Sequence, residues 1–333
     1  MRWPKALSVW GVLVAVSAPV AGVEARCEGC HGEQWRGWRL SLHAGSTEDP
    51  LYRAMRRWAA SEAGPEAAAL CANCHSSEIL GQAARTLAVE CRVCHQGVAV
   101  SPVPRGWRVD PGAPVAAALQ VDAPHPVRAS RELLDGRLCL ACHGELRNPR
   151  GVPLCTTGPE AESRRAGPGC LSCHMAGKDH AFQGTTSRLL AQAAELSIQI
   201  RNGRARVAVL NRGAGHALPT GSALRQIVLE IQVLGPNLDV LRSHREVFAR
   251  VLEDAEGQAP VPPWRAAAVH ADTRLGPFHR RVVAVDLPPG ARAVAARLVY
   301  HRAPAAVVKR LGLENEPLLR PVEMARAEAM VGR

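Results

Sequence analysis

The sequence predicts a mixed fold: a mostly α-helical and irregular region over residues 23–190, an antiparallel β-sandwich over 191–304 and a helical tail over 305–333. Three observations point there. All eleven cysteines lie before residue 174, ten of them in five repeats of one spacing. Aromatic residues make up 4% of the chain while Gly (29) and Pro (25) are plentiful, so something other than rings must fill the N-terminal core. Beyond residue 190 the cysteines stop, and short alternating apolar runs separated by Gly and Pro take over.

The leader comes first. Arg2 and Lys5 precede an apolar run from Ala6 to about Val20, with small residues at Ala21, Gly22 and Ala25. This is the layout of an export signal over residues 1–22. The run, about fifteen residues, falls short of the roughly twenty needed to span a bilayer; an uncleaved anchor is the alternative. Arg26 stands where a lipid-attachment site at Cys27 would want a small residue. No later stretch is long and apolar enough to cross a membrane. The mature chain is expected to be periplasmic or otherwise exported.

An exported protein with eleven cysteines ordinarily forms disulfides, but here the spacing has another use. Cys-x-x-Cys-His occurs as Cys27/Cys30/His31, Cys71/Cys74/His75, Cys91/Cys94/His95, Cys139/Cys142/His143 and Cys170/Cys173/His174. Chance would give on the order of 0.01 such matches. Two thiols three positions apart can each form a thioether to a haem vinyl group, and the next imidazole then reaches the iron. Zinc ribbons would not need a histidine after each second cysteine, and a thioredoxin-like pair would occur once. Five haem c groups are therefore expected, and their apolar faces account for the missing aromatics.

The haems also temper the charge. The formal +11 falls to about +9 without Arg2 and Lys5, and about −1 per ferric haem with ionised propionates leaves about +4. A nucleic-acid role is not expected.

Eight histidines lie outside the motifs. His43 follows Trp35, Trp38 and Leu42, an apolar stripe at helical spacing suited to a porphyrin face. A helix of twelve residues spans about 18 Å, too far for His31 and His43 to clamp one iron, so His43 is expected to cap a different one. His125, between Pro124 and Pro126, lies on an extended approach upstream of a helix predicted over Ser130–Leu140. His180 follows the fifth motif closely and suits a neighbouring haem. His216 stands in a Gly- and Pro-rich loop, Asn211–Gly221, that lets backbone approach a bulky group. His244, His270, His279 and His301 read as surface positions in the strand-rich half. Cys155, the leftover thiol, reads as unpaired and inert, with a redox or dimerising role as the alternative.

Strand-like runs follow at Leu196–Ile200, Arg206–Leu210, Leu224–Val233, Leu238–Leu241, Arg281–Leu287 and Ala295–His301, with Gly235-Pro236-Asn237 as a turn. Several short strands of this kind suit an antiparallel sandwich.

The stretches CEGCHGEQWRGWRLSLHAG, HPVRASRELLDGRLCLACHG, GCLSCHM followed by DHAF, and NRGAGHALPTG resemble multihaem c-type cytochromes of the cytochrome c-554 group, over about residues 27–225. Many of these join a haem region to a C-terminal β-rich domain. The resemblance implies that His43, His125, His180 and His216 are distal ligands and that the activity is electron transfer. The founding members have four attachment sites against five here, so their ligand pairing does not carry over.

The function expected is a soluble electron carrier between redox partner proteins, membrane-bound quinol-linked cytochromes among them, through mostly bis-histidine haems. The count leaves an alternative. Five irons have four distal candidates; the fifth would use His244, His270, His279, Met175 or Met55, or stay five-coordinate. An open iron would make the protein an oxidoreductase for a small nitrogen or sulfur compound.

Overall fold

The computed structural model describes residues 27–79, 88–99, 107–162, 169–184 and 186–332; the leader lies outside them. Among the described residues no helix is long and apolar enough to cross a membrane.

The N-terminal region is built from short helices joined by irregular chain. Helix α1 spans Gly32–Arg39 and stops there, so the predicted stripe does not continue into one helix: Trp38 is buried with its Nε1 donating to the Val89 carbonyl at 2.8 Å, while Leu42 is exposed beyond the helix end. Helix α2, Pro50–His75, starts on an N-cap, the Asp49 carboxylate accepting from the Tyr52 N–H at 3.0 Å, with Pro50 in the first turn. Gly64, at φ +83°, and Pro65 break it. A straight helix would hold Tyr52 and His75 about 35 Å apart. Instead the chain doubles back at Gly64, and the two rings stack at 4.4 Å.

Helix α3 is Cys91–His95. The helix predicted over Ser130–Leu140 is interrupted: α4 covers Arg131–Asp135, Gly136 turns left-handed at φ +74°, and α5 resumes at Leu140–His143 after a single tight turn. A Cβ at Gly136 would lie 3.4 Å from the Cys170 Cβ, so the break also lets the fifth motif approach. Helices α6 (Thr157–Glu162), α7 (Cys170–His174) and α8 (Ser187–Ala193) complete the region. Short strand pairs link the pieces, among them Val115–Ala117 with Val127–Ala129.

The C-terminal half is an antiparallel sandwich. Its strands are β1 (Ala194–Arg201), β2 (Arg204–Asn211), β3 (Gln226–Leu234), β4 (Val240–Phe248), β5 (Arg250–Glu253), β6 (Ala268–Asp272), β7 (Arg280–Asp286), β8 (Ala293–His301) and β9 (Val322–Met330). One sheet runs β4-β3-β8-β9, the other β7-β2-β1, and β5-β6 form a ribbon. Alternation decides which side chains point inward. Ile227, Leu229, Ile231 and Val233 of β3 meet Val207 and Val209 of β2, Phe248, Val283, Val285, Leu298 and Met324 in one core. All six predicted strand-like runs overlap strands here, though Leu224, Arg225, Leu238, Asp239 and Leu287 fall outside them.

The tail departs from expectation. Helix α9 covers only Ala305–Arg310, and Val322–Met330 forms strand β9 on the open edge of β8. Its Ala, Glu, Arg and Met suit a helix, but Met324 is buried and Ala325, Ala327 and Ala329 alternate with exposed Arg326, Glu328 and Met330. The period of two, matched to an unpaired edge, outweighs intrinsic propensity.

Several contacts join the halves, an apolar cluster and an ionic one among them. Leu51 and Met55 of α2 pack with Ala303 and Leu319, flanked by Trp58 edge-on to Trp264 at 5.1 Å. A buried ionic cluster links Glu160 of α6 to Arg274 at 2.7 Å, and Arg274 and Arg250 to Asp272 at 2.8 and 3.2 Å.

Candidate haem-binding sites

Each motif takes a helical turn. In the first, the Cys30 and His31 N–H groups both donate to the Cys27 carbonyl, at 3.2 and 2.8 Å. The others end α2 or form α3, α5 and α7. Positions i, i+3 and i+4 of a helix share a face, so both thiols and the imidazole leave on the same side.

Four motif imidazoles each face a second imidazole from elsewhere in the chain. Ring centroids lie 6.4 Å apart for His31 and His125, 6.2 Å for His143 and His43, 6.5 Å for His95 and His180, and 6.3 Å for His174 and His216. An iron between two imidazoles needs about 2 Å to each nitrogen and about 1.1 Å more to each ring centre, which sums to about 6.2 Å. The residues therefore fit haem iron held from both sides. All four histidines singled out in the sequence are brought to such a position, each opposite a motif distant in the chain. His43 faces the fourth motif and His180 the third, so each lies opposite a motif other than the one next to it.

Backbone carbonyls orient several rings. The Nδ1 atoms of His95, His174, His180 and His216 lie 2.7, 2.7, 2.9 and 2.9 Å from the carbonyls of Ala116, Gln183, Lys178 and Ala217. A proton held at Nδ1 leaves Nε2 as the free donor pair. Burial lowers the pKa of His43, His75, His95 and His216, and brings that of His143 to about 4. These imidazoles are neutral at pH 7, the form that binds metal.

His75 differs. Its ring stacks against Tyr52, 14° from parallel, and 4.4 Å leaves no room for an atom between them. The Tyr52 hydroxyl is buried with no hydrogen-bond partner among the described residues. None of the alternatives named for a fifth iron faces His75. Met55 packs in the apolar cluster between the halves, and Met175 caps α7. His244, His270 and His279 are exposed in the β half, His270 beside Glu253 at 2.8 Å. His301, expected at the surface, is half-buried, and burial lowers its pKa.

Thiols of different motifs touch. A hydrogen bond from Cys91 brings the pKa of Cys27 to about 6 and pushes that of Cys91 up; Cys139 and Cys170 form a second such pair, with Cys170 at about 6. Cys74 contacts Cys142 and is lowered by it. Cys139 also feels the charge of Cys94. The first site thus adjoins the third, the third the fourth, and the fourth both the second and the fifth. Cys155 is buried, its Sγ 3.4 Å from the Thr157 hydroxyl.

The sequence did not mark Glu160. Its Oε2 accepts from the Ala217 N–H at 3.2 Å and the Thr220 hydroxyl at 2.6 Å. Asn211 Nδ2 donates to the His216 carbonyl at 2.9 Å. The His216 loop is thereby pinned from both halves. Tyr52 was also missed, although it is one of two tyrosines in the chain.

Residues 26–96 match the family described as Cytochrome c554 and c-prime. A crystal structure of a penta-heme cytochrome c552 from Thermochromatium tepidum is 24% identical over 92% of this chain and 97% of that one, with a TM-score of 0.75. The two share a fold. An endonuclease/exonuclease/phosphatase from Beutenbergia cavernae overlaps 42% of this chain and 24% of its own at 14% identity and a TM-score of 0.18, too little for a common fold. No curated protein matches.

Proposed function

We infer, from a chain whose residues 26–96 match the cytochrome c554 and c-prime family, an exported multihaem c-type cytochrome that carries electrons between redox partner proteins through five haem c groups. The four imidazole pairs at 6.2–6.5 Å are the observation that carries this reading. Bound haem supplies a one-electron iron couple. Cys27, Cys30, Cys71, Cys74, Cys91, Cys94, Cys139, Cys142, Cys170 and Cys173 attach it, and His31, His75, His95, His143 and His174 are the proximal ligands. His125, His180, His43 and His216 close the first, third, fourth and fifth sites. Two imidazoles leave such an iron no position for a substrate, which suits transfer and not catalysis. The contacts between motif thiols link every site to another, with the fourth as the junction.

The experiment is low-temperature electron paramagnetic resonance of the oxidised protein, with haem content measured by pyridine haemochrome. Five haems per chain with four low-spin irons support the reading; a colourless protein, or high-spin signals at several sites, would sink it.

Among the described residues His75 is the one motif imidazole with no second imidazole facing it, which favours a second reading for one site. The second iron lacks an imidazole opposite His75 and is open to a small nitrogen or sulfur compound. Cyanide or nitric oxide altering one signal and sparing four supports this, and no change with either ligand refutes it.

A further inference from the structure

The stretch from Lys178 to Gln183 meets three of the sites at once. The Lys178 carbonyl holds Nδ1 of His180, which faces the third motif, at 2.9 Å. The Gln183 carbonyl holds Nδ1 of His174, in the fifth motif, at 2.7 Å. Between these two carbonyls stands Phe182, half-buried, and its ring touches two imidazoles. The centroid lies 4.7 Å from that of His43, which faces the fourth motif, and 5.7 Å from that of His180, at interplanar angles of 60° and 77°. These are edge-to-face ring contacts. One side chain thus meets the second imidazoles of both the third and the fourth sites.

The backbone is bent to put the ring there. Phe182 has φ +45° and Lys178 φ +64°, a region that a bulky aromatic residue rarely enters. The Asp179 carboxylate closes the turn between them, Oδ1 accepting from the Ala181 N–H at 2.9 Å. The turn packs on α1 at Gly37, where a Cβ would stand 3.0 Å from Asp179 Oδ1 and 3.2 Å from the backbone nitrogens of His180 and Ala181. Only glycine admits so close an approach. Backbone strain of this kind persists where the surroundings over-determine it, and it gathers at functional positions.

We propose that Phe182 is a positioning residue for the third and fourth sites, its one ring fixing the planes of both His180 and His43. This rests on the haem reading above. An imidazole can turn about a single iron–nitrogen bond, so its plane is set by what touches the ring. That plane directs the half-filled orbital of a low-spin ferric iron, and the angle between the two imidazole planes sets the spread of its resonance. The planes meet at 43° for His143 and His43 and at 17° for His95 and His180. Phe182 holds the orbital alignment of two adjoining irons through one contact.

The test is low-temperature electron paramagnetic resonance of the full haem-loaded chain. Phe182→Gly removes the ring and suits the left-handed backbone; the g values of two low-spin signals should move while the other two stay. Phe182→Tyr keeps the ring and should reproduce the parent. His43→Ala and His180→Ala, each turning one iron high-spin, identify the two signals by their loss. If Phe182→Gly does not accumulate, Phe182→Leu removes the flat ring but keeps apolar bulk, and it should move the same two. Unmoved g values, a shift of one signal alone or a shift of all four overturn the proposal, as does Phe182→Tyr behaving like Phe182→Gly. Haem content is measured alongside: a fully loaded Phe182→Gly with the parent's signals sinks this inference alone, whereas a parent without haem sinks the reading beneath it.

Discussion

The imidazoles of His174 and His216 face one another at 6.3 Å, 19° from parallel, although one ends a helix of the N-terminal region and the other belongs to a loop between strands of the sandwich. A ligand bond from each would clamp the halves to one iron. His216→Ala is expected to convert one iron of the oxidised protein from low to high spin, with the far-ultraviolet circular dichroism of the sandwich unchanged. A spectrum identical to the parent's would exclude His216 as a ligand.

The Glu160 cluster should govern acid stability. Burial alone would raise the Glu160 carboxyl, but hydrogen bonds from Thr156 and Thr220 and the Arg274 charge outweigh it and hold it below the usual range; Asp272 is held down in the same way by Arg274 and Arg250. A depressed folded value means that this stabilisation is complete above about pH 5. It is lost as the pH falls through the folded values. Glu160→Ala should cost about 3 kcal/mol at pH 7, because it leaves buried Arg274 and Arg250 short of a partner. The check is a series of urea unfolding curves between pH 3 and 7: the deficit of the variant should shrink toward acid, and a constant deficit would contradict the assignment.

Tyr52 fixes the His75 ring by stacking, not through its hydroxyl. Tyr52→Phe keeps the ring and should leave the spectrum of an iron held by His75 unchanged. Tyr52→Ala frees the imidazole to rotate and should broaden the signal of that iron. Equal behaviour of the two variants would argue against the stack as the restraint.

Phe248 is fully buried at the end of β4 in the sandwich core. Phe248→Ala should lower unfolding free energy by about 3–5 kcal/mol, read from the midpoint of denaturant unfolding. A loss below about 1 kcal/mol would mean that the site collapses around the deletion.

What was legible in the sequence follows from how local each signal is. The attachment motifs are complete within five residues, so their spacing declares them. The strands of the sandwich were readable because β2 and β3 are dense in Val, Ile and Leu. Ligand pairing is a tertiary property: nothing in the sequence near His43 specifies His143, or near His31 specifies His125. The break at Gly136 was hidden because a helical pattern ran across it, and its cause, the approach of Cys170, comes from another segment. Strand β9 was misread because its composition favours a helix, while the open edge of β8 that recruits it is invisible locally.

The thiol pairs Cys27–Cys91 and Cys139–Cys170 constrain biogenesis. In an exported chain, cysteines that meet in the folded shape can oxidise to one another before any vinyl group is added. Capping the first site while Cys91 is still emerging removes one member of that pair, so loading in order of synthesis protects the later sites. Secretion in a strain unable to ligate haem should therefore yield internally crosslinked monomers, visible as faster migration in non-reducing electrophoresis.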